Sequence, residues 1–388
     1  MNYQELKNTV LEAIQDNHAE LFGINLKICD NPEISGEEKE SSRTLVELLS
    51  SHGFNCEYPY GNYDYAFRAI KGENNHKYKI AILAEYDALA GLGHACGHSL
   101  SGSISCLAGI ALSSLQDELD ADIHIIGTPG EELYSTKGYM IQDGLFDGYD
   151  MAMMVHLFND NIPTPRILAL SSFDYEFYGK PAHSAATPWE GVNALNAAQL
   201  HFHAIDMFRQ HIKEGSRIHG IYMNGGTSVN IVPDYVKTKI YVRATTKAYK
   251  EELVEKVDLM AEGAGIATGC SWSKSTRTFP PDDLRLNKTG DTVLREVFSE
   301  LGLEIGDETA IFGSSDIGCV SYALPTFHPC LKISESPINI HMNEFEELMR
   351  TEKAERTLDD GALLIALQVI KIFSDESLIE NMKKDFAE

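Results

Sequence analysis

Five side chains of metal-binding types are spread through the chain, and their chemistry suits a pair of divalent cations. Two of them form a Cys-Gly-His motif in the stretch Tyr78–Leu100, which begins as an apolar run. Thiolate, imidazole and carboxylate groups are the usual ligands of zinc in proteins, with manganese as the alternative that the sequence leaves open. We therefore predict two divalent ions, most readily Zn²⁺, that share a bridging ligand. The predicted ligands are Cys96, His98, Glu132, His156 and His341.

Glu131 and Glu132 are adjacent, which allows the two carboxylates to take different tasks. Glu132 can bind metal while Glu131, beside a metal-activated water, acts as a general base. This pairing suits hydrolysis of an amide bond, in which Glu131 passes the proton to the leaving nitrogen. A structural interpretation also exists, because acidic residues in the first turn of a helix complement its dipole.

A different chemistry would make Cys96 a nucleophile paired with His98 or His94, as in thiol hydrolases. In those enzymes the Cys and the His are distant in sequence and meet only in the fold. His98 lies too near Cys96 for that arrangement, and the paired glutamates would have no role. The metal site is therefore the better interpretation.

Predicted apolar β-strands must position these groups, because acidic residues or a histidine follow directly after each of them. Glu85 and Asp87 follow the run 78–84, the two glutamates follow a run that stops at Thr128, and His156 follows a predicted strand over 149–155. Predicted helices separate the strands, so the pattern favours an α/β fold with a mostly parallel central sheet. Ligands bind beyond the carboxyl ends of such strands. A single helix is predicted over 342–373.

The chain is long enough for two domains, and a proline-rich segment near residues 160–170 suggests where the second begins. Beyond it, the predicted elements follow the order βαββαβ, which is the ferredoxin-like pattern. We predict a discontinuous catalytic domain over 1–170 and 282–388, with an inserted lid and dimerisation domain over 171–281.

The composition indicates which classes of binding partner are disfavoured and which cellular compartment is expected. The formal net charge of −26, with a pI near 4.9, disfavours binding to nucleic acid or to an anionic membrane. No stretch has the length and apolarity of a signal peptide or a membrane span. The seven cysteines are an odd number without a disulfide rhythm, which is typical of a reducing cytoplasm.

Taken in order, the motifs of the chain resemble those of the M20 family of metallopeptidases and amidohydrolases. The matching segments are DNPEISGEE, AILAEYDALAGLGHACGH, GTPGEEL, MMVH, GKPAHSAATPWEGVNAL, GGTSVNIVPDYV and GSSDIG, followed by the region of His341. The resemblance implies a zinc-exopeptidase-like catalytic domain with two metal ions, and an inserted ferredoxin-like lid that forms a homodimer. Whether dimers pair into tetramers is left open.

The resemblance also implies individual roles. Cys96 would bridge the two ions, the other four predicted ligands would complete their coordination, and Glu131 would be the base. His183 would reach across the dimer to the oxyanion in the partner's site. Asn230 and Arg243 match positions that contact substrate in relatives, and the planar fork of an arginine suits a carboxylate.

The expected function is metal-dependent hydrolysis of an amide bond in a small peptide or an N-acyl amino acid. Ser99 and Ser101 depart from relatives that carry an Asp and a His there, and Gly-Ser-Ser-Asp at 313–316 replaces Gly-Ser-Glu-Asp. These departures motivate an alternative, a non-catalytic relative that binds metal or peptide. The exact substrate, exo- or endopeptidase action, and the roles of Glu85, Asp87 and Asp316 stay open.

Overall fold

The computed structural model describes residues 1–276 and 278–388. They form two compact units, Met1–Arg166 with Leu284–Glu388, and Ile167–Asp283. We call the first the discontinuous unit and the second the inserted unit. Within the described residues, no helix combines the length and the apolarity that crossing a membrane requires.

The strands and helices are numbered in chain order. The strands are β1 (Asn55–Glu57), β2 (Phe67–Ile70), β3 (Tyr78–Ala84), β4 (Ala121–Gly127), β5 (Met151–Met153), β6 (His156–Phe158), β7 (Arg166–Ile167), β8 (Ala169–Tyr178), β9 (Arg217–Asn224), β10 (Tyr235–Ala244), β11 (Ser271–Ser275), β12 (Ile311–Gly313), β13 (Thr326–Phe327) and β14 (Cys330–Lys332). The α-helices are α1 (Tyr3–Asp30), α2 (Lys39–Ser51), α3 (His98–Leu112), α4 (Gln116–Leu119), α5 (Glu131–Tyr134), α6 (Thr136–Gln142), α7 (Ala194–Phe208), α8 (Lys247–Thr268), α9 (Lys288–Glu300), α10 (Ile317–Ser321), α11 (Asn343–Glu347), α12 (Glu352–Phe373) and α13 (Glu376–Ala387).

The main sheet of the discontinuous unit has the strand order β1-β2-β4-β3-β5-β13. Strands β4, β3, β5 and β13 run parallel to one another, whereas β2 and β1 add an antiparallel edge. Strand β4 is buried along its whole length, as expected for a parallel strand covered on both faces. The register places Ala84 beside Gly127, so β3 and β4 end at the same level. The predicted mostly parallel α/β sheet is confirmed.

Helix α3 is buried at every residue and packs against α1, α12 and β3. Its close approach to β3 needs a glycine, because a Cβ at Gly102 would lie 2.4 Å from the carbonyl oxygen of Glu85. Serines on α3 donate hydrogen bonds to nearby carbonyl oxygens: Ser105 Oγ donates to Leu83 O of β3 at 2.6 Å, and Ser101 Oγ donates to Val155 O, between β5 and β6, at 2.6 Å. Ser101, one of the departures noted above, therefore joins α3 to the residue before His156.

Two sequence-based boundaries are wrong. The strand predicted over 149–155 is only β5, and His156 begins the separate strand β6, which pairs with β14. The single helix predicted over 342–373 is broken at Leu348–Arg350, a 3₁₀ turn, and α12 starts after Thr351, whose side chain accepts from Ala354 N. Capping at Thr351 satisfies the first turn of α12, which explains why the helical pattern restarts there.

The inserted unit is an antiparallel sheet of order β11-β8-β10-β9, against which α7 and α8 pack. Its chain order, β8-α7-β9-β10-α8-β11, is the predicted βαββαβ pattern. Strand β10 alternates between half-buried and buried residues, as a strand does when one face is covered by helices. The apolar core of this unit is continuous from Tyr175 and Phe177 to the helix residues Leu253 and Val257.

Candidate metal centre and active site

The discontinuous unit brings all five predicted metal ligands into two overlapping groups. Cys96, His98 and His156 form the first, and Cys96, Glu132 and His341 form the second. Within each group the ligand atoms lie within 4.8 Å of one another. Since Cys96 belongs to both groups, its sulfur is the atom that could bridge two ions.

The spacing of these atoms fits metal coordination. The distance from Cys96 Sγ to His156 Nε2 is 3.5 Å, and Glu132 Oε1 lies 3.5 Å from His341 Nε2. Two ligands of a tetrahedral zinc ion are about 3.3–3.6 Å apart. Among the described residues, His98 Nε2 and Glu132 Oε1 are buried without a hydrogen-bond partner in the protein, a state that is costly unless something else binds them. Donor chemistry, spacing and unpartnered atoms therefore all fit two divalent cations.

Local backbone geometry explains how the loop presents its ligands. Gly97 adopts φ +87°, a left-handed conformation that strains other residues, and a Cβ there would lie 3.0 Å from Leu157 Cβ. His341, also left-handed at φ +66°, donates its backbone N–H to Ala95 O at 2.8 Å. This bond ties the His341 segment to the residue before Cys96, although the two are far apart in sequence.

Asp87 orients two of the ligands. Its Oδ1 lies 2.9 Å from His98 Nδ1, and its Oδ2 accepts from Ser35 Oγ at 2.6 Å and from Glu132 N at 3.0 Å. Burial opposes ionisation of Asp87, but the pKa is held well below its usual range by the imidazole of His98 and by these hydrogen bonds. A carboxylate on Nδ1 leaves Nε2 of His98 as the atom for an ion, the usual arrangement of a metal-bound histidine.

Glu131 begins helix α5 directly beside Glu132 and also falls in a group with His98 and Glu132 whose atoms lie within 4.8 Å. Burial and the negative charge of Glu132 raise the pKa of Glu131 well above its ordinary value. A raised pKa increases the proton affinity of a carboxylate, which is what a general base needs. The two residues also form the acidic first turn of α5, as the structural interpretation of the pair expects, and the role of Glu131 as a base stays a prediction.

Sequence reasoning missed Glu38, which supports the loop before Glu131. Glu38 is fully buried, and its Oε1 accepts from Gly130 N at 2.7 Å. Burial, followed by the charge of Asp87, raises the pKa of Glu38 to about 7. The residue stands in the DNPEISGEE segment, so that motif carried the signal, but only the fold reveals its partner.

The three candidate site residues of the inserted unit do not all lie near one another. His183 accepts on Nδ1 from the backbone of Ala185 and Ala186, at 3.2 and 3.1 Å, and is exposed. Asn230 lies beside it, because Asn230 O accepts from Ser184 N at 3.0 Å. Arg243 lies near the far end of β10, roughly 26 Å along the strand from Tyr235. The structure thus pairs His183 with Asn230 and separates both from Arg243.

Comparison with known proteins identifies the family. Residues 169–266 match the model of the peptidase dimerisation domain of the M20 family. The chain is 30% identical to the Xaa-Arg dipeptidase of Mus musculus, over 98% of this chain and 92% of that protein. It is 31% identical to a p-aminobenzoyl-glutamate hydrolase polypeptide of Escherichia coli, over 77% of this chain and 66% of the relative.

A solved structure shares the fold. The YXEP protein of Bacillus subtilis, described as a dinuclear metal-binding peptidase of the M20 family, superposes with a TM-score of 0.70 at 19% identity and covers 92% of this chain and 99% of its own. The non-catalytic alternative finds no support among these relatives. Because the identity to the mouse dipeptidase extends over nearly the full length of both proteins, this chain belongs to the M20 family of metal-dependent peptidases and amidohydrolases.

Proposed function

We propose that this protein hydrolyses the amide bond of small peptides or N-acyl amino acids, with two divalent ions and with Glu131 as the general base. The observation that carries the proposal is the pair of ligand groups that share Cys96, with Glu131 beside them. When bound, two such ions acidify water and polarise a carbonyl group. Zinc is the expected metal because a thiolate is common to both groups, and manganese remains the alternative.

The residues of the chain would have separate roles, as metal ligands and as general base. Cys96 would hold both ions, His98 and His156 the first, and Glu132 with His341 the second. Glu131 would accept a proton from the attacking water and deliver it to the leaving nitrogen, as a general base that becomes a general acid.

The names of the relatives point to the class of substrate. One relative is a Xaa-Arg dipeptidase and another a p-aminobenzoyl-glutamate hydrolase, so in both the bond named is an amide to an amino acid. We propose the same class here, with Arg243 binding the substrate's carboxylate through its planar fork.

The inserted unit would supply the second half of the site by forming a homodimer. His183 and Asn230 lie together and are exposed, which supports a joint role at the active site of a second chain. His183 would donate a hydrogen bond to the oxyanion there. Assembly of dimers into tetramers remains open, and the seven free thiols support a cytoplasmic location.

Metal content and turnover test the proposal together. The purified chain, loaded with Zn²⁺ or Mn²⁺, is expected to bind two ions and to cleave some members of a panel of dipeptides and N-acyl amino acids. Glu131→Gln should retain both ions but lose about 10²–10⁴-fold in kcat, the usual contribution of a general base. Glu118→Gln, an exposed glutamate on α4, is the matched control and should behave as wild type. Unchanged turnover in Glu131→Gln contradicts the mechanism.

A further inference from the structure

A buried lysine joins two carboxylates whose roles the sequence left open. Lys137 on α6 is fully buried, and its Nζ lies 2.5 Å from Glu85 Oε1 and 2.7 Å from Asp316 Oδ1. Asp316 Oδ2 also accepts from Lys137 N at 2.9 Å, so both oxygens of Asp316 are used. Glu85 differs, because only one of its oxygens has a hydrogen-bond partner: Oε1 accepts from the ammonium group, and Oε2 has none among the described residues.

The second oxygen of Glu85 faces the metal centre. Glu85 Oε2 lies 3.3 Å from His98 Nε2, and both side chains are at most 1% exposed. Neither atom has a hydrogen-bond partner among the described residues. Two unpartnered buried atoms that face one another in this way suit a cation near both of them.

We infer that Glu85 is a positioning residue of the metal centre, which acts through His98 and is itself held in place by Lys137. The inference deepens the proposed function and rests on its two-ion site. Glu85 stands outside both ligand groups, so its oxygen adds negative charge beside a ligand atom rather than belonging to the group. A buried carboxylate beside the ligand atom of a metal-binding histidine would orient that histidine and add negative charge near the ion, which would strengthen ion binding.

The network holds that carboxylate in place. Glu85 is buried, and the Lys137 ammonium group, 2.5 Å from Oε1, provides an opposite charge beside it. Lys137 occupies Oε1, which leaves Oε2 toward His98. Asp316 supplies the second counter-charge that a fully buried lysine needs, and both of its oxygens are engaged by Lys137 rather than by His98.

Two matched substitutions separate a role at the metal from a structural role. Glu85→Gln and Asp316→Asn each remove one negative charge from the same lysine at a buried position, but only Glu85 faces His98. Both are made in the 388-residue chain, and Zn²⁺ affinities are measured by competition with a chromophoric chelator. We expect Glu85→Gln to weaken one of the two ions by about 10–100-fold, as loss of an outer partner does, and Asp316→Asn to change either affinity by less than about 5-fold.

A variant that retains only one ion can show which of the two ions Glu85 affects. His341→Ala should leave only the ion of the group that contains His98, and Glu85→Gln must weaken that ion in this background. Glu85→Asp keeps the charge but shortens the side chain, so it should fold and lose affinity to an intermediate extent, which preserves the test if Glu85→Gln does not fold. Equal losses in Glu85→Gln and Asp316→Asn, or wild-type affinity in Glu85→Gln or Glu85→Asp, overturn the inference. A wild-type chain that binds no ion would instead overturn the proposed function itself.

Discussion

The two units hold their candidate functional residues in opposite ways. In the discontinuous unit the ligands are mostly buried, and some keep unpartnered atoms such as His98 Nε2. Asp87 contacts two of them, His98 and Glu132. In the inserted unit His183 is exposed and its Nδ1 is satisfied by its own turn. Unpartnered buried atoms are costly, so a cluster of ligand-type residues that contains them indicates a site within one chain. His183 and Asn230 offer no such signal, and they acquire a role only if another molecule meets them.

Two buried lysines make the same contrast. Lys250 in the inserted unit is 3% exposed and lies 2.9 Å from Asp282 Oδ1, while Lys247 lies 2.7 Å from Asp282 Oδ2. Both oxygens of Asp282 are therefore used, whereas Glu85 beside Lys137 keeps one unpartnered. A buried ion pair is thus weak evidence of function, and the unsatisfied oxygen beside it is the more informative feature.

The largest expected effect comes from the sulfur that both ligand groups share. Cys96→Ser should lose both ions, because a serine hydroxyl is a poor substitute for a bridging thiolate, whereas His156→Ala and His341→Ala should each lose one. Ions per chain, measured after equilibrium dialysis, check this directly. Retention of one ion at wild-type affinity in Cys96→Ser would show that the thiolate is not shared.

We propose that the discontinuous unit alone binds the ions, and an effect of His183 on metal binding would contradict this difference between the units. We expect His183→Ala to keep both ions and to lose about 10²–10³-fold in kcat, the cost of removing one oxyanion donor. Mixing this variant with Glu131→Gln should restore about a quarter of wild-type activity, since half of the dimers are hybrids with one complete site each. Proven hybrids without recovered activity would exclude action across the dimer.

Substitution of Asp87 tests whether its hydrogen bonds to two ligand residues support ion binding in the discontinuous unit. Asp87→Asn should lower ion affinity by about 10–100-fold, because it weakens the hydrogen bonds that orient His98 and Glu132. Asp282→Asn is the matched change in the inserted unit and should leave ion affinity unaltered. Chelator competition on both variants gives the result, and an equal loss in the two would contradict a specific role for Asp87.

The smallest effect concerns pH and the core of the inserted unit. Burial lowers the pKa of His201 to about 4, so folding favours its neutral form. The stability that this group contributes is present above the unfolded pKa, near 6.5, and is lost as pH falls towards 4, by at most about 3 kcal/mol. His201→Met should flatten the pH dependence of the free energy of unfolding between these values. An unchanged slope in chemical denaturation would contradict the assignment.

Much of the candidate site can be predicted without the fold, because its ligands are of distinctive types and follow apolar runs. His156 falls in a ligand group even though the sequence-based strand ended before it and the observed strand β6 begins at it. The residue type decides whether it can bind metal, so the wrong strand boundary did not hide it. Lys137 and Glu38 cannot be recognised in this way, because a lysine or a glutamate in a polar stretch is ordinary until burial removes its water.

The sequence by itself determined the kinds of chemical group, their order, the alternation of strands with helices, and the family motifs. Only the tertiary structure decided which atoms face one another, which oxygen of Glu85 stays unpartnered, and that Arg243 is remote from His183 within its unit. The physical reason is that side-chain type is local, whereas desolvation and unpaired hydrogen-bonding capacity depend on neighbours brought together from distant parts of the chain.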